Sequence, residues 1–204
     1  MLSGTGLLIA KYIVLFAVCY VLGSVNLSIL ISQGLGGDVR SHGSGNAGAT
    51  NMARTYGLWA GLAAMAGDML KAVAAMLIGW WLLGDWGLAC AGAACILGHC
   101  FPVLYLFRGG KGISVGGAIA FAVDWRVGLV VVGVFLLGAF SSKKVSLGSV
   151  LAALAITVAS IAFRISTPRL LLAIFAMTLA IFQHRGNIKR LLNGTEPDFR
   201  AKSK

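Results

Sequence analysis

Long apolar runs recur along the whole chain, and their length constrains the fold more than any other feature. An α-helix of about 20 apolar residues crosses the hydrocarbon core of a bilayer, since each residue adds about 1.5 Å. Of the 204 residues, 58% are hydrophobic and only 11% are charged, whereas soluble domains carry about a quarter charged residues. We therefore predict an all-α membrane protein, a polytopic helical bundle with one domain, 1–204.

The apolar runs place seven candidate spans along the chain. They cover residues 7–32, 58–83, 87–106, 113–123, 127–140, 146–163 and 169–183. The fourth run is too short to cross alone, so it is either a half-helix or merges with its neighbours across Asp124-Trp125-Arg126, which leaves six or seven crossings. The end of the chain, about 195–204, is predicted to be a disordered cytoplasmic tail.

The basic residues are concentrated in alternate loops. With seven crossings, residues 33–57, 108–112, 141–145 and the tail from His184 lie on one side and carry twelve Lys and Arg residues, against four on the other side. The positive-inside rule then predicts an outside N-terminus and a cytoplasmic C-terminus. The net charge of +11 is thus expected to set topology and meet anionic lipid headgroups, and we expect no nucleic-acid partner.

The first polar cluster, residues 41–54, lies in a predicted cytoplasmic loop and is dense in glycine. Glycine permits tight backbone turns, and the polar side chains supply hydrogen-bonding groups and one cation. Those side chains are Ser44, Asn46, Thr50, Asn51 and Arg54. A plain flexible loop is the alternative, but connections in helical bundles usually take fewer residues.

The second cluster combines His99 near the end of the third span with a loop of two cations and three glycines that opens the fourth. The loop residues are Arg108, Gly109, Gly110, Lys111 and Gly112. A glycine-rich loop before a helix N-terminus suits an anion such as phosphate. The motif for nucleotide phosphates is absent, because Tyr105 stands where it needs glycine. A turn with topogenic cations is the alternative.

The third cluster follows the last span. If residues 184–192 are helical, His184 and Asn187 share one face and Arg185 and Lys189 share another. An amphipathic helix on anionic lipid is the alternative for the cations, whereas His184 and Asn187 can face the bundle.

Two further sets of polar residues lie in or at the ends of spans. Asp68 and Lys71, three residues apart, can form an ion pair on one face of the second span; ionisable residues in a membrane mark either a function or such a pair. Ser146 and Ser149 lie at the start of the sixth span, and Ser146 is either a helix cap or a site residue.

Taken together and in order, these segments resemble the bacterial integral-membrane glycerol-3-phosphate acyltransferases that use acyl phosphate as donor. The matching residues are Gly43-Ser44-Gly45-Asn46-Ala47-Gly48-Ala49-Thr50-Asn51 with Arg54; Gly98-His99-Cys100-Phe101-Pro102 with Phe107-Arg108-Gly109-Gly110-Lys111-Gly112; and His184-Arg185-Gly186-Asn187-Ile188-Lys189-Arg190-Leu191-Leu192 with Gly194 and Glu196. Further matches are Asp68-Met69-Leu70-Lys71 and Val145-Ser146-Leu147. Arg108 and Val115 depart from the usual lysine and threonine, and Ser114 offers a hydroxyl one position before Val115.

The resemblance implies a seven-helix fold in the bacterial cell (inner) membrane, with an active site open to the cytoplasm. It implies transfer of an acyl group from acyl phosphate to the sn-1 hydroxyl of glycerol 3-phosphate, giving lysophosphatidic acid and phosphate for phospholipid synthesis. Acyl-CoA and acyl carrier protein are not donors in this family. We expect no cofactor and no metal, because no cluster of ligating side chains occurs. The partners are then the two substrates and membrane lipid; the sequence leaves the oligomeric state open.

The residue types suggest individual roles, since acyl phosphate is already activated and each substrate carries a phosphate to be held. We assign Lys111, Gly109, Gly110 and Gly112 to the donor phosphate, and Ser44, Asn46, Arg54, His184 and Asn187 to the acceptor or to completing the site. His184 is a candidate to accept the hydroxyl proton, with a substrate phosphate oxygen as the alternative. The other candidate substrate-binding residues are Thr50, Asn51, Asp68, Lys71, His99, Arg108, Ser114, Ser146 and Arg185.

Two other functions compete with this one. A transporter for an anionic metabolite would need polar groups through the membrane midplane and on the far side, whereas the polar clusters here share one predicted side. A non-catalytic paralogue that binds lipid is the second alternative, suggested by Val115.

Overall fold

The computed structural model describes residues 4–199, and every regular element in that range is a helix. The α-helices are α1 (Gly4–Ser24), α2 (Leu27–Gly34), α3 (Ala49–Tyr56), α4 (Leu58–Cys100), α5 (Ile113–Val123), α6 (Trp125–Ser142), α7 (Val145–Ala162), α8 (Thr167–Gln183) and α9 (Arg185–Leu192). Short 3₁₀ turns occur at Val39–Ser41 and Val103–Tyr105. The all-α prediction is confirmed.

Four helical stretches within the described residues are long and apolar enough to cross a membrane. They are Gly4–Gly34, Leu58–Tyr105, Trp125–Ser142 and Val145–Ala162. The pair α8 and α9, bent by 60°, meets the same criteria when taken together, and α5 is a shorter apolar helix. Seven crossings with an outside N-terminus therefore stay predictions.

The helix α4 folds back on itself at Leu83 and Gly84, whose backbone angles are not helical. Gly84 has φ of +60°, which glycine adopts without a Cβ clash. The two arms then pack so closely that a Cβ atom on Gly79 would overlap the Gly87 carbonyl. These arms correspond to the predicted spans 58–83 and 87–106, but the second arm ends earlier, at Cys100, because Pro102 cannot continue the helix.

The predicted first span is interrupted after Ser24, a break that the apolar run does not reveal. Asn26 caps α2 by accepting a hydrogen bond from the Ile29 N–H at 3.1 Å, and its Nδ2 donates to the Ala47 carbonyl at 3.1 Å. At the other uncertain boundary, Asp124 caps α6 through the Arg126 N–H. The helices α5 and α6 are therefore separate and do not merge.

Small residues set the helix packing around the bundle core. A Cβ atom on Gly23 would overlap the backbone of Cys95, and one on Gly98 would overlap the backbone of Tyr20, so α1 lies directly against the second arm of α4. Close backbone approach through glycine is typical of membrane helices. This packing brings the ends of α4 and α8 and the starts of α3, α5 and α7 to one end of the bundle.

Candidate active site

A polar cavity of about 160 Å³ lies where these helix ends meet. All three predicted polar clusters contribute side chains to it, although they are far apart in the sequence. The predicted site residues that line it are Ser44, Asn46, Thr50, Asn51, Arg54, His99, Lys111, Ser114, Ser146, His184 and Asn187. The structure thus brings most of the candidates together, and their individual roles stay predictions.

Asn51 shapes the loop that precedes α3. Its Oδ1 accepts a hydrogen bond from the Ser44 N–H at 3.0 Å, and its Nδ2 donates to the carbonyls of Val39 and His42, both at 2.9 Å. These bonds occupy its carboxamide, so Asn51 holds the loop that presents Ser44. Gly43 lies against the Asn51 amide with φ of +56°, a conformation that other residues rarely adopt.

Lys111 lies in the glycine loop, next to its last residue, and lines the cavity. Its Nζ donates to Asn187 Oδ1 at 2.5 Å, and Asn187 Nδ2 donates to Glu196 Oε1 at 2.7 Å. The second oxygen of Glu196 accepts from Arg190 Nε at 2.7 Å. A continuous chain of hydrogen bonds therefore joins the glycine loop, α9 and the segment that follows α9.

Charge and burial shift the pKa values of the ionisable groups in this chain of hydrogen bonds. The pKa of Lys111 is lowered to about 8, mainly by burial and also by the nearby cations Arg190 and Arg54, while Glu196 acts in the opposite direction. Burial alone would raise the pKa of Glu196, but its hydrogen bonds and the Arg190 charge hold it below the usual range. Glu196 is therefore a carboxylate at neutral pH.

The cavity has an excess of positive charge. Arg54, Lys111 and Arg190 line it, and Glu196 is the only acidic residue among its described lining residues. Arg54 makes no hydrogen bond or ion pair with any residue in the range 4–199. A partly enclosed site with unpaired cations attracts and holds anions.

His184 lies at the junction of α8 and α9 and is 4% exposed. Its Nδ1 is 2.8 Å from the Ala180 carbonyl oxygen, which can only accept a hydrogen bond, so Nδ1 carries the proton. In a neutral imidazole, this leaves the lone pair on Nε2 free. The ring can therefore accept a proton or a hydrogen bond from a group in the cavity.

Beneath the cavity, Asp68 and Lys71 form the ion pair predicted from their spacing, with Oδ1 and Nζ 2.7 Å apart. Lys71 also donates to the Gly23 carbonyl at 2.9 Å and the Val25 carbonyl at 2.5 Å, and it lies 3.3 Å from His99 Nδ1. The pair thus braces the break between α1 and α2. Neither Asp68 nor Lys71 lines the cavity, so their predicted substrate contact is not supported.

Gly109 and Gly110 pack against His99, and none of the three loop glycines lines the polar cavity. The Gly110 N–H donates to the His99 carbonyl at 3.0 Å, so it is not free to bind a phosphate. A Cβ atom on Gly109 would overlap this carbonyl, and one on Gly110 would overlap the His99 ring. Gly112 has φ of +81° at the start of α5 and borders a neighbouring apolar cavity.

Two predicted cations also lie outside the polar cavity. Arg108 is exposed beside the loop. Arg185 is directed onto the Phe182 ring, with its guanidinium carbon 4.4 Å from the ring centroid, and it donates to the Phe182 carbonyl at 3.0 Å. Their neighbours Lys111 and His184 occupy the cavity instead.

Three polar or charged residues of the cavity were not among the predicted site residues: Ser149, Arg190 and Glu196. Ser149 follows Ser146 by three positions and Arg190 follows Asn187 by three, a spacing that places each pair on one helix face and could have revealed them. Glu196 falls in the stretch expected to be a disordered tail. The structure differs from that prediction at Glu196, because Arg190 and Asn187 donate hydrogen bonds to the Glu196 carboxylate. Residues 200–204 of the predicted tail lie outside the described range.

An apolar cavity of about 330 Å³ adjoins the polar one, between α4, α5, α6, α7 and α8. Four residues border both cavities: Met65, Ile113, Ser114 and Phe135. A molecule with a charged head and an apolar chain can therefore occupy the two cavities at once.

Comparison with known proteins gives consistent matches along nearly the whole chain. The model of a family described as glycerol-3-phosphate acyltransferase matches residues 13–194. A glycerol-3-phosphate acyltransferase of Thermoanaerobacter sp. (strain X514) is 40% identical over 187 residues, which are 91% of this chain and 94% of the relative. One of Bacillus subtilis (strain 168) is 36% identical over 193 residues, 94% and 97% of the two chains.

Two crystal structures of PlsY, an integral membrane glycerol 3-phosphate acyltransferase, have the same fold. The glycerol 3-phosphate form is 35% identical with a TM-score of 0.88, and the lysophosphatidic acid form is 34% identical with a TM-score of 0.85. Each match covers 92% of this chain and 95% of the PlsY chain.

Proposed function

The chain belongs to the glycerol-3-phosphate acyltransferase family, and from this premise we propose that it transfers an acyl group from acyl phosphate to the sn-1 hydroxyl of glycerol 3-phosphate. The products are lysophosphatidic acid and inorganic phosphate. One observation carries the proposal: a polar cavity with excess positive charge adjoins an apolar cavity inside the bundle. The polar cavity suits the phosphates and the apolar one suits an acyl chain.

The reaction needs little covalent chemistry from the protein. The sn-1 oxygen attacks the carbonyl carbon of the acyl phosphate, a C–O ester bond forms, and the C–O bond to the phosphate breaks. The leaving phosphate takes the bonding electron pair, and the hydroxyl proton passes to a base. Holding both reactants in line, with cations facing the developing charge, supplies most of the acceleration in such a reaction.

Lys111 and Arg54 are the proposed phosphate ligands. Lys111 lies just before α5 and is held there by its hydrogen bond to Asn187. We therefore assign it to the donor phosphate, together with the unpaired N–H groups of the first turn of α5. Arg54 has no partner among the described residues and suits the phosphate of glycerol 3-phosphate. Bound phosphate would also favour the charged form of Lys111, whose pKa is depressed in the free site.

The remaining polar groups orient the acceptor. Ser44, Asn46 and Thr50 line the cavity together with Arg54 and can hydrogen-bond the glycerol hydroxyls. We assign the role of accepting the proton of the attacking hydroxyl to the Nε2 atom of His184, whose ring lines the cavity. A phosphate oxygen is the competing acceptor, and an active His184→Gln variant would favour it.

A direct test compares three donors side by side. The purified protein in lipid nanodiscs receives labelled glycerol 3-phosphate with palmitoyl phosphate, palmitoyl-CoA or palmitoyl-acyl carrier protein. We expect lysophosphatidic acid and an equal amount of phosphate from palmitoyl phosphate only. Product from another donor would overturn the donor assignment, and no product from any donor would overturn acyl transfer itself.

We also propose that the protein lies in the bacterial inner membrane with the polar cavity open to the cytoplasm, as its loop cations predict. Lys143 and Arg164 form a matched pair for a test, because both are exposed and have positive φ. Lys143 lies just before α7 and Arg164 lies just after it, so the two residues are at opposite ends of this helix. With Arg164→Cys, a membrane-impermeant maleimide should label intact spheroplasts. With Lys143→Cys, labelling should require permeabilisation, and the reverse pattern would invert the proposed topology.

A further inference from the structure

One face of α5 forms a wall of the apolar cavity. Ser114, Gly117 and Phe121 follow one another at spacings of three and four residues, so they lie on the same face. Ser114 also borders the polar cavity, and Phe121 lies seven residues further along, about 10 Å deeper. The wall therefore runs from the polar groups into the bundle, with Gly117 at its middle.

Gly117 leaves open space where any other residue would place a side chain. A Cβ atom built there would meet a single neighbour within 4 Å, the Cε of Met69, at 4.0 Å. Met69 lies on α4 at the opposite wall, and Met65, one turn away, borders both cavities. Gly117 and Met69 therefore lie next to each other in the wall of the apolar cavity, and a side chain at position 117 would extend toward Met69.

The combined depth of the polar and apolar cavities matches one leaflet of a bilayer. On α7, Val145 borders the polar cavity and Ile156 borders the apolar cavity, eleven residues further along, or about 16 Å. Half of the hydrocarbon core is about 15 Å. The two cavities together thus span about the depth that the acyl chains of one leaflet occupy, provided that the chain passes Gly117.

We propose that Gly117 determines the acyl-chain length that the site accepts. This inference rests on the proposed acyl transfer. The missing side chain at Gly117 opens the passage beside Met69, so that a long saturated chain reaches the space between Phe121 and Ile156. The flexible, unbranched side chain of Met69 adjusts to the chain that passes it.

The test measures kcat/KM for palmitoyl phosphate and for octanoyl phosphate, each with glycerol 3-phosphate, in the wild type and in Gly117→Leu. Each buried methylene contributes about a fourfold factor. Excluding two or more methylene groups of the palmitoyl chain from the cavity should therefore lower the ratio of the palmitoyl to the octanoyl kcat/KM by more than about tenfold. Octanoyl turnover by the variant shows that it is folded.

Two further variants distinguish an effect on acyl-chain length from a general loss of folding or activity. Gly133 on α6 also has open space around it but borders neither cavity, so Gly133→Leu should keep the wild-type ratio. In the double variant Gly117→Leu/Met69→Ala the Met69 side chain is shortened, so the palmitoyl-to-octanoyl ratio should return most of the way to the wild-type value. A wild-type ratio in Gly117→Leu, or an equal fall in Gly133→Leu, would overturn the proposal.

A second measurement does not require turnover. A palmitate analogue with a diazirine near its methyl end should label the wild type in competition with palmitate, and this labelling should be lost in Gly117→Leu. If the wild type transfers no acyl group, the proposed function is wrong, whereas the labelling still decides whether the chain passes Gly117. Equal labelling of the two proteins would contradict the proposed role of Gly117.

Discussion

The Lys111 ammonium donates a hydrogen bond to Asn187 Oδ1 at 2.5 Å, although the two residues are 76 positions apart in the sequence. Asn187 then donates to Glu196, so two of the polar clusters and the segment beyond α9 are tied together at one point. This relationship fixes the position of a cation that would otherwise lie on a flexible four-carbon side chain. It also makes Asn187 a positioning residue in the proposed mechanism.

Replacing Asn187 by Ala should lower kcat/KM for acyl transfer by about a hundredfold, an effect similar to losing one fixed donor in an active site. The reason is that Lys111 and Glu196 both lose their shared partner. Asn193→Ala is a suitable control, since Asn193 is exposed at the end of α9. Steady-state kinetics in which both variants stay within threefold of wild type would argue against this role.

The apparent affinity for the anionic substrates should decrease as the pH increases through about 8. Burial lowers the pKa of Lys111 to about 8, so the ammonium is charged below that pH and loses its charge above it. We expect KM to be flat below pH 8 and to increase above it. In Lys111→Arg the guanidinium stays charged, so whatever activity remains should lack this alkaline limb.

Glu196→Ala should reduce activity by about tenfold, because it removes a hydrogen-bond acceptor from Asn187 and releases Arg190. It should also move the alkaline limb of the KM profile to lower pH, because the Glu196 charge favours the protonated form of Lys111. Asp198→Ala is the matched control, since it breaks an exposed ion pair with Lys144. An unchanged alkaline limb in Glu196→Ala would contradict the proposed charge coupling.

Asp68→Ala should destabilise the fold by about 3–5 kcal/mol, because it leaves the buried Lys71 ammonium without its counterion. The double variant Asp68→Leu/Lys71→Met should lose less stability than the sum of the single variants, since it leaves no buried charge. Unfolding in detergent, followed by circular dichroism, measures both effects. Strictly additive losses would show that the two residues do not act as a pair.

The sequence predicts the helices well because the length of an apolar run is a local property. It does not predict the break between α1 and α2, since that break depends on partners elsewhere in the chain. Asn26 needs the Ala47 carbonyl, and the free Val25 carbonyl needs Lys71. Such long-range hydrogen bonds leave no signal in local hydropathy.

The site is predicted in outline for a related reason. Polar residues gathered at the ends of apolar spans identify the clusters, but the direction of each side chain depends on the backbone. Arg108 and Lys111 are indistinguishable by charge and motif, yet Arg108 is exposed and Lys111 is enclosed. Glu196 was missed because the polar composition of its segment does not show that Arg190 and Asn187 bind it.

The central claim is that the polar cavity around Lys111 holds the phosphate of the reacting donor. The most direct measurement compares kcat/KM for palmitoyl phosphate and glycerol 3-phosphate in Lys111→Ala and Arg108→Ala, two cations of one loop. We expect a loss of at least about a thousandfold in Lys111→Ala and wild-type activity within a few-fold in Arg108→Ala. Equal activities of the two variants, or a greater loss in Arg108→Ala, would contradict the account.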